Sequence, residues 1–560
     1  MHKKLTVILI LIIVGFKASS QSDQVELGAK QYDFIDRLEL LLQKDSVFNF
    51  SSFRPLNRKD ITLRAAYIQQ LSDKGLIQLT AVDKYNLDQL LKQNFEWATP
   101  LADTTMPFKN LFNKNGAKAP FYWGAKRDDF SIYLQPILAY ESGKDNNVTT
   151  HSLLRNTRGF EVRGTVGKTI GYYTSVTENQ ELFPLYVQNV KDAMHVVPGT
   201  GYYKDYQKGG GDYFDVRGGI NFKAGKYIDV QFANDKIFVG NGLRSLILSD
   251  NSDNFLFLKI RTKFWKFQYY NIYGQLMTTT RDFTGESLLP QKNIVMQYLD
   301  FQVSKRVNIA LYENIIFNRQ NGFDLNYLNP VIFLDAIQQK VGSPDKLTVG
   351  MNIKANVFKK SQLYGQLVIN EWVAHEVFHY SNGWWGNKEA FQFGIKTADF
   401  LGVKNLDVQG EVNIVRPFVY THSDTVGSYT HYNQALAHPL GANFKEYIAI
   451  IKYQPIRKLT INSKIFYSEQ GLDSAGRNFG ANIFELYTTR VRDYGFSIGS
   501  GILSKTFTAS TTISYEVIPN LFLNANLLIR NNKTEGLKDF NTTAYMIGFR
   551  WNIARREFNF

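Results

Sequence analysis

The sequence contains no cysteine among its 560 residues. A chain without thiols forms no disulfide bond, has no cysteine nucleophile and offers no cysteine ligand to a metal ion. After residue 20, moreover, no stretch approaches the ~20 apolar residues that a membrane-spanning helix requires. These two absences exclude a disulfide-stapled fold, thiol chemistry and a helical membrane protein.

Clustered positive charge is missing as well. The chain carries a formal net charge of +14 at pH 7, and Lys3, Lys4 and Lys17 at the start of the sequence supply three of the positive charges. The other lysines and arginines gather into no single block or helix, whereas proteins that bind nucleic acid concentrate them on one surface. We therefore expect no nucleic-acid partner.

Residues 1–20 have the pattern of a secretory signal peptide. Lys3 and Lys4 precede an apolar core, Leu5–Phe16, and the small residues Ala18–Ser20 offer a cleavage site before Gln21. The apolar core is too short for a membrane anchor, and no cysteine follows it as a lipoprotein would require. The pattern predicts that the chain is exported.

Residues 21–120 are predicted to form a small periplasmic helical unit followed by an extended linker. Apolar residues recur at helical spacing over Tyr32–Leu42. Asn57 is a candidate N-cap for a second helix, and Thr80 with Asp83 resembles a capping box at the start of a third. The pattern leaves open whether this unit is a plain plug or docks a partner.

From about Asp129 onwards the hydrophobic period is two residues, the period of a β-strand. In Phe214–Lys223, for example, apolar residues and glycine alternate with mostly charged or polar side chains. A soluble sandwich alternates similarly but turns its charges to bulk water, whereas a membrane barrel turns apolar groups to lipid and charges to its lumen. The signal peptide and the terminal Phe560 favour a barrel, which we assign to residues 121–560.

The connections between the predicted strands alternate in length. Eight are short and nine are long, which predicts an all-β membrane protein: one antiparallel outer-membrane β-barrel of eighteen strands. Short turns belong on the periplasmic side of such barrels and long loops outside the cell. Basic residues adjoin many short turns, and such a rim suits either anionic headgroups or plain solvent. One long connection, 469–504, has room for another hairpin.

The last predicted strand, Asn541–Ile553, alternates apolar or aromatic residues with small or polar ones. A phenylalanine at the end of such a strand resembles the assembly signal of bacterial outer-membrane barrels. Phe558 and Phe560, however, have the opposite parity to Trp551. We therefore expect a bulge or a strand end near Ile553.

Residues 375–379, His-Glu-Val-Phe-His, match the zinc-protease motif H-E-x-x-H, in which a helix brings both histidines to one metal ion and the glutamate activates water. The motif follows an apparent strand, and we identify no third ligand. In an extended segment the two imidazoles would lie too far apart for one ion. We therefore predict a loop, with no catalytic residue, metal site or cofactor, in a protein that is not an enzyme.

The segment Val419–Phe444 is dense in polar and aromatic residues. Aromatic faces beside amides and imidazoles suit the ring faces and hydroxyl groups of sugars. With two tryptophans from an earlier loop, the candidate glycan contacts are Trp384, Trp385, Tyr429, His431, Tyr432, Asn433, Gln434 and His438. Two competing interpretations are a loop that packs on itself in the barrel mouth and a metal site built from its histidines.

Three stretches resemble a known family. They are Asn57–Asp60 with Asp83–Leu87 and Glu96-Trp97, then Gly383–Lys388 with Gln392–Gly394, and then Tyr429–Gln434 with Ala437–Asn443. The chain resembles the Wzi-like family of capsule-assembly outer-membrane barrels, and more closely its Bacteroidota branch, in which some members carry the gliding-motility label RemB. The resemblance implies an eighteen-stranded barrel with an N-terminal helical bundle, and a surface role in polysaccharide assembly or motility. It supplies no catalytic residues.

Three functions of different classes follow. The first is a monomeric, non-enzymatic outer-membrane protein that binds, anchors or helps to assemble capsule or exopolysaccharide, or supports gliding. The second is an accessory subunit of a larger outer-membrane machine, such as a type IX secretion complex. The third is a passive porin. The lumen charges would line a channel in a porin or pair across a filled lumen, and they include Glu161, Arg163, Asp215, Arg217, Asp407 and Glu411.

Overall fold

The computed structural model describes residues 22–98, 123–127, 129–167, 169–278, 289–319, 322–331, 333–342, 345–371, 373, 375–376, 379–474 and 476–560. The predicted signal peptide and linker lie outside the described residues.

Eighteen antiparallel strands of the described chain close into one barrel, and the last strand pairs with the first. This confirms the predicted fold class. The strands are β1 Phe130–Asp145, β2 Leu153–Val166, β3 Ile170–Leu182, β4 Gly210–Lys223, β5 Ile228–Asp235, β6 Phe255–Phe264, β7 Phe267–Met277, β8 Gln291–Ser304, β9 Val307–Phe317, β10 Lys346–Val357, β11 Ser361–Ile369, β12 Glu389–Thr397, β13 Leu406–Val415, β14 Phe444–Ile456, β15 Leu459–Leu472, β16 Ile502–Ile518, β17 Leu521–Thr534 and β18 Phe540–Trp551.

Other elements lie before the barrel and in its long loops. The helices are α1 Lys30–Leu42, α2 Arg58–Asp73, α3 Ala81–Gln93, α4 Phe95–Ala98, α5 Leu185–Met194 and α6 Leu334–Val341. Short 3-10 turns occur at Phe48–Phe50, Leu325–Leu328, Tyr380–Asn382, Phe400–Gly402 and Tyr487–Thr489. Short strands occur at Phe53–Arg54, Trp123–Lys126, Lys204–Tyr206, Phe238–Val239, Thr430–His431 and Gln434–Ala435. Among the described helices, none has the length and apolarity needed to cross a membrane.

Short and long connections alternate between the described strands as predicted, and the described residues of 473–501 add no strand to the barrel. The barrel therefore has a short-turn end and a loop end. Along β18, Tyr545 and Ile547 point outwards and are exposed, whereas Thr542 and Ala544 are buried on the lumen side. Such alternation, apolar outside and polar or small inside, is typical of a barrel wall in lipid.

The last strand ends at Trp551, close to the predicted break near Ile553. Residues 552–560 then leave the wall and enter the lumen, where Phe558 packs edge-on against Phe183 and Phe560 against Tyr186. That the terminal phenylalanines act as an assembly signal stays a prediction. They join an apolar cluster inside the barrel, and their change of parity marks the point where the chain leaves the wall.

The helical unit has the caps that the sequence predicts. The Asn57 side chain accepts a hydrogen bond from the backbone N–H of Asp60 at the start of α2, and Thr80 and Asp83 form a capping box at the start of α3. These caps satisfy backbone donors that would otherwise have no partner at the helix ends. Apolar faces of the helices then pack together in one core.

This unit enters the lumen from the short-turn end and binds the inner wall through buried ion pairs. Glu39 of α1 lies 2.6 Å from Nζ of Lys354 on β10, and Lys30 lies 2.6 Å from Glu516 on β16. Phe53, between α1 and α2, stacks on the lumen residue Tyr270 with a centroid distance of 4.0 Å. The unit is therefore a plug that is held by the barrel.

A loop from the opposite end meets the plug inside the lumen. Phe238–Val239, in the loop 236–254, pairs with Phe53–Arg54 of the plug. Higher in the same loop, the carbonyls of Leu246 and Ile247 accept hydrogen bonds from Tyr420 and Tyr429 of the loop 416–443, each 2.7 Å long. Protein thus runs continuously from the short-turn end to the loop end, beside a lumen cavity of about 490 Å³.

The six lumen charges singled out in the sequence are all engaged with this filling or with each other. Arg163 forms ion pairs with Glu96 and Glu161, and Arg217 forms ion pairs with Asp215 and Glu26. Asp407 forms an ion pair with Arg37. Glu411 accepts a hydrogen bond from the backbone N–H of Leu243. Because plug residues and lumen-loop residues supply most of these partners, the charges pair across a filled lumen.

Candidate functional site

The loop 416–443, here called the mouth loop, folds down into the loop end of the barrel. Pairing along β13 stops at Val415, two residues before Pro417, which has no backbone N–H to donate. Tyr429 stacks on Tyr420 and is buried, and its hydroxyl donates a hydrogen bond to the carbonyl of Ile247. This ring therefore serves packing within the mouth.

His431 is buried with both ring nitrogens bonded. Nδ1 accepts the backbone N–H of Met277 at 3.0 Å, so Nε2 carries the proton and donates to the carbonyl of Asn254 at 3.1 Å. The pKa of His431 is lowered from 6.5 to about 4, mainly by burial and also by Lys292 and Lys236, although the hydrogen bond to Asn254 opposes the shift. The imidazole is therefore neutral at pH 7 and acts as a fixed connection between loops.

His438 is also held by its neighbours. Its Nδ1 accepts the N–H of Leu440, and its Nε2 lies 2.7 Å from a carboxylate oxygen of Glu446 on β14. Glu446 in turn accepts two hydrogen bonds from Arg244. Burial lowers the pKa of His438, although the neighbouring carboxylate opposes that effect. This chain of contacts fastens the mouth loop to the wall.

Asn433 and Gln434 join the mouth loop to the loop 183–209. Asn433 donates to the carbonyl of Met194, and Gln434 bonds the N–H of Gly199 and the carbonyl of Thr200. Five of the eight candidate residues are thus buried with polar atoms bonded inside the protein, while Tyr432 is partly exposed. Direct glycan contact by the buried five stays a prediction, and it requires the mouth loop to open.

Trp384 and Trp385 lie in a different place, on the loop 370–388 where it crosses the loop 473–501. Three backbone hydrogen bonds join the two loops there, and a Cβ atom on Gly383 would lie 2.5 Å from the carbonyl oxygen of Phe496. Gly383 also has a φ of +63°, which glycine adopts at little cost. At this crossing both indoles are partly exposed and lie beside the loop 473–501.

The loop 473–501 contributes Tyr487 and Arg490 to a cluster that we call the mouth patch. Its members are Trp384, Trp385, Lys388, Tyr487 and Arg490. The Trp385 and Tyr487 rings lie 4.8 Å apart, with Nζ of Lys388 3.9 Å from the tyrosine centroid and the Arg490 guanidinium 4.1 Å from the indole centroid. Cations held over ring faces fix the orientation of the rings. Burial lowers the pKa of Lys388 to about 8.

Several solved structures match this chain. The Wzi protein of Escherichia coli, described as a carbohydrate-binding β-barrel involved in group 1 capsule assembly, matches with a TM-score of 0.55 and 11% identity, over 96% of this chain and 100% of its own. The chain shares the fold of Wzi. OccAB2 of Acinetobacter baumannii matches with a TM-score of 0.41 and 11% identity, over 76% of this chain and 98% of its own. OprD of Pseudomonas aeruginosa gives 0.38 and 11%, over 76% and 94%. No family model and no curated protein matches the chain significantly.

The sequence did not indicate Tyr487 and Arg490 as partners of the tryptophans. They lie about a hundred positions further along the chain, in the connection where an extra hairpin was considered. The available signal was local: tyrosine and arginine three residues apart in a loop, followed by Arg492. Only the crossing of the two loops shows that these groups meet the indoles.

The two histidines of the H-E-x-x-H motif lie close together. The rings of His375 and His379 lie 4.5 Å apart, and Glu376 accepts a hydrogen bond from the Tyr494 hydroxyl. Across the part of the chain that the structure describes, no group of three or more histidines and carboxylates is placed to hold a metal ion. Among the described residues, the two histidines therefore have no third protein ligand of the kind that a zinc protease uses.

We predict that the change Glu376→Gln leaves binding and surface phenotype unaltered. Glutamine keeps an acceptor for Tyr494 but cannot serve as the general base of a metalloprotease. The measurement is polysaccharide retention on cells that produce each protein, with total metal determined on the purified barrels. Loss of function with normal barrel assembly would instead support the protease interpretation.

Proposed function

We propose that this chain is a monomeric, non-enzymatic outer-membrane protein that binds surface polysaccharide at its loop end. In this proposal the short-turn end, from which the plug enters the lumen, faces the periplasm, and the long loops lie outside the cell, as in other barrels with short periplasmic turns. The observation that carries the proposal is the mouth patch, where partly exposed indoles stand at the mouth of a filled barrel. The similarity of the fold to Wzi, which is described as a carbohydrate-binding barrel, supports it.

The chemistry of the patch suits a sugar polymer. A pyranose ring has weakly apolar faces that stack on indole, and each stacked aromatic contributes on the order of 1 kcal/mol beyond its area burial. A site of two or three rings is therefore weak for a single sugar. A polymer that meets many barrels at once gains avidity, so weak sites suffice to hold a capsule.

We expect the double change Trp384→Ala and Trp385→Ala to weaken binding of polysaccharide from the producing cells by roughly 5- to 150-fold, because two lost stacking contacts of about 0.5–1.5 kcal/mol each sum to about 1–3 kcal/mol. The measurement is titration of purified barrels with that polysaccharide. The matched control is Tyr202→Ala, an exposed aromatic residue in another long loop. Unchanged binding with normal heat-modifiable migration would show that the patch is only structural.

The triple change Tyr429→Ala, His431→Ala and Tyr432→Ala separates the two interpretations of the mouth loop. Because two of these three side chains are buried, we expect it to lower the assembly of the barrel or the order of the loop. A normally assembled triple variant that loses polysaccharide would instead assign the binding site to these residues.

The porin and machine-subunit functions predict different results. A passive porin conducts in planar bilayers, whereas the continuous protein filling from plug to mouth loop favours a barrel without a large steady conductance. A subunit of a gliding or type IX secretion machine would co-purify with partners in mild detergent, and its deletion would impair spreading. Of these two machine roles, the sequence resemblance implies only the one in gliding.

A further inference from the structure

One sector of the outer wall departs from the barrel pattern. On β7 and β8, Tyr270, Ile272, Met296 and Tyr298 point into the lumen core, so the residues between them point outwards. Lipid-facing positions are normally apolar. Here the outward positions of β7–β9 include the polar residues Asn271, Gln275, Asn293, Gln297 and Glu313.

Asn271, Asn293, Gln297 and Glu313 are buried, and Gln275 is half-buried. Asn293 is 7% exposed and Gln297 6%, whereas Leu311, also outward on β9, is 59% exposed. The covering element is formed by the described residues of the loop 318–345, here called the flap, which fold back over the outside of the wall. Its residues Tyr327, Leu334 and Ile337 form one apolar cluster with Tyr273, Val295, Ile315 and Phe317 of the wall.

Hydrogen bonds match the polar wall to the flap backbone. Tyr269 donates to the carbonyl of Pro330 at 2.6 Å, Tyr273 to Leu328 at 3.0 Å, Asn293 to Gly322 at 2.9 Å and Gln297 to Asn329 at 3.4 Å. Glu313 accepts the N–H of Leu334 at the start of α6, where a carboxylate also suits the helix dipole. Three of the five polar wall residues, Asn293, Gln297 and Glu313, therefore bond flap peptide groups.

The flap lies at the depth of the membrane. Its contacts run from Asn293, which pairs with Gln275, down to Tyr269, two residues above the first residue of β7. Six residues of a strand span roughly 20 Å along its axis, and a tilt of ~45° reduces this to roughly 14 Å of depth in a hydrocarbon core of ~30 Å. Peptide groups at that depth need protein partners, because lipid offers none.

The outer side of the flap includes large exposed apolar residues, beside the exposed polar residues Asn326, Asn329, Asp335, Gln339 and Lys340. Leu325, Val331 and Phe333 are 74%, 79% and 76% exposed, and Leu328 is also exposed. Together with Leu311 of the adjacent wall they continue the apolar band that the polar strip interrupts. We propose that the flap is a membrane-embedded cover: its outer surface contacts lipid acyl chains, and its inner surface seals a polar strip on the barrel wall.

Single cysteines test this directly, because the chain has none of its own. Val331→Cys and Phe333→Cys each receive a fluorophore in detergent and are then reconstituted into phosphatidylcholine vesicles with plain or brominated acyl chains. Leu311→Cys, on the wall, is the lipid-facing control. Leu537→Cys, 71% exposed in the loop 535–539, is the aqueous control.

We expect brominated lipid to quench the flap probes as strongly as the Leu311 probe and more than the Leu537 probe. Quenching no greater than at Leu537 overturns the proposal. Aqueous iodide then separates the two remaining cases. It quenches the flap probes if the flap lies in water, and it does not quench them if a partner or a second copy covers the flap. Heat-modifiable migration confirms folding, and Leu325→Cys replaces any variant that fails to fold.

Discussion

Replacing Arg37 by methionine is expected to loosen the plug from the barrel. Arg37 is buried on α1 and binds Asp83 of α3 at 2.6 Å, Asp399 of a short turn at 2.7 Å, and Asp407 of β13. Methionine keeps most of the apolar length of the side chain but leaves three carboxylates without this cation. Removing one partner from a buried ion pair costs about 3–5 kcal/mol, so we expect a destabilisation of that size at the docking contact.

Hydrogen exchange of residues 30–93 in the intact barrel measures this effect. The matched control is Lys92→Met on α3, which breaks an exposed pair with Asp88 in the same unit. Pairs of that kind contribute about 0.3–0.5 kcal/mol, so exchange in the control should be close to that of the original chain. Equal exchange in both variants would show that the plug is held without the Arg37 cluster.

Much of the barrel could be predicted from the sequence, because strand period and turn length are local properties. Alternation over segments such as Phe214–Lys223 gives the strands, and the order of short and long connections gives the count. The caps at Asn57 and Thr80 are also local, since each involves residues only three positions apart.

The contents of the lumen could not be predicted in this way. A period of two shows which side chains point inwards, but it does not show which loop or helix meets them. The burial of His431 and Gln434 depends on Asn254 and Thr200, far away in the sequence. The residues around Phe558 similarly do not indicate that its ring packs against Phe183.

The flap shows a second kind of missed signal. Asn293 and Gln297 lie at outward positions of β8, where the alternation of a barrel strand would place apolar residues. A polar residue at a lipid-facing position costs free energy unless protein covers it. Such breaks in an otherwise regular strand therefore mark places where a loop returns over the wall.

Acidification is expected to favour opening of the mouth loop through His431. The pKa of its imidazole is about 4 when the loop is closed and 6.5 in an open, solvated state. Above pH 6.5 both states are neutral and the closed loop keeps its full stability. As pH falls from 6.5 towards 4, only the open state takes up a proton, so the closed state loses up to about 3 kcal/mol. Below pH 4 this loss levels off.

Other titrating groups in the mouth make a variant necessary. His438 acts in the same direction, because its pKa is also lowered by burial. Asp253 acts in the opposite direction, because burial raises the pKa of its carboxyl group to about 6. The change His431→Gln keeps a donor and an acceptor for the neighbouring backbone groups but removes the titrating ring. The difference between the original chain and this variant therefore isolates His431.

Hydrogen exchange of residues 416–443, corrected for the intrinsic rate at each pH, measures the opening free energy of the loop. We expect the original chain to lose protection between pH 6.5 and 4 more steeply than His431→Gln, because only its open state gains a proton on the ring at position 431. Peptides from the loop 535–539, remote in sequence from this histidine, serve as the internal control. If both proteins lose protection equally over this range, His431 is not the group that couples pH to the mouth loop.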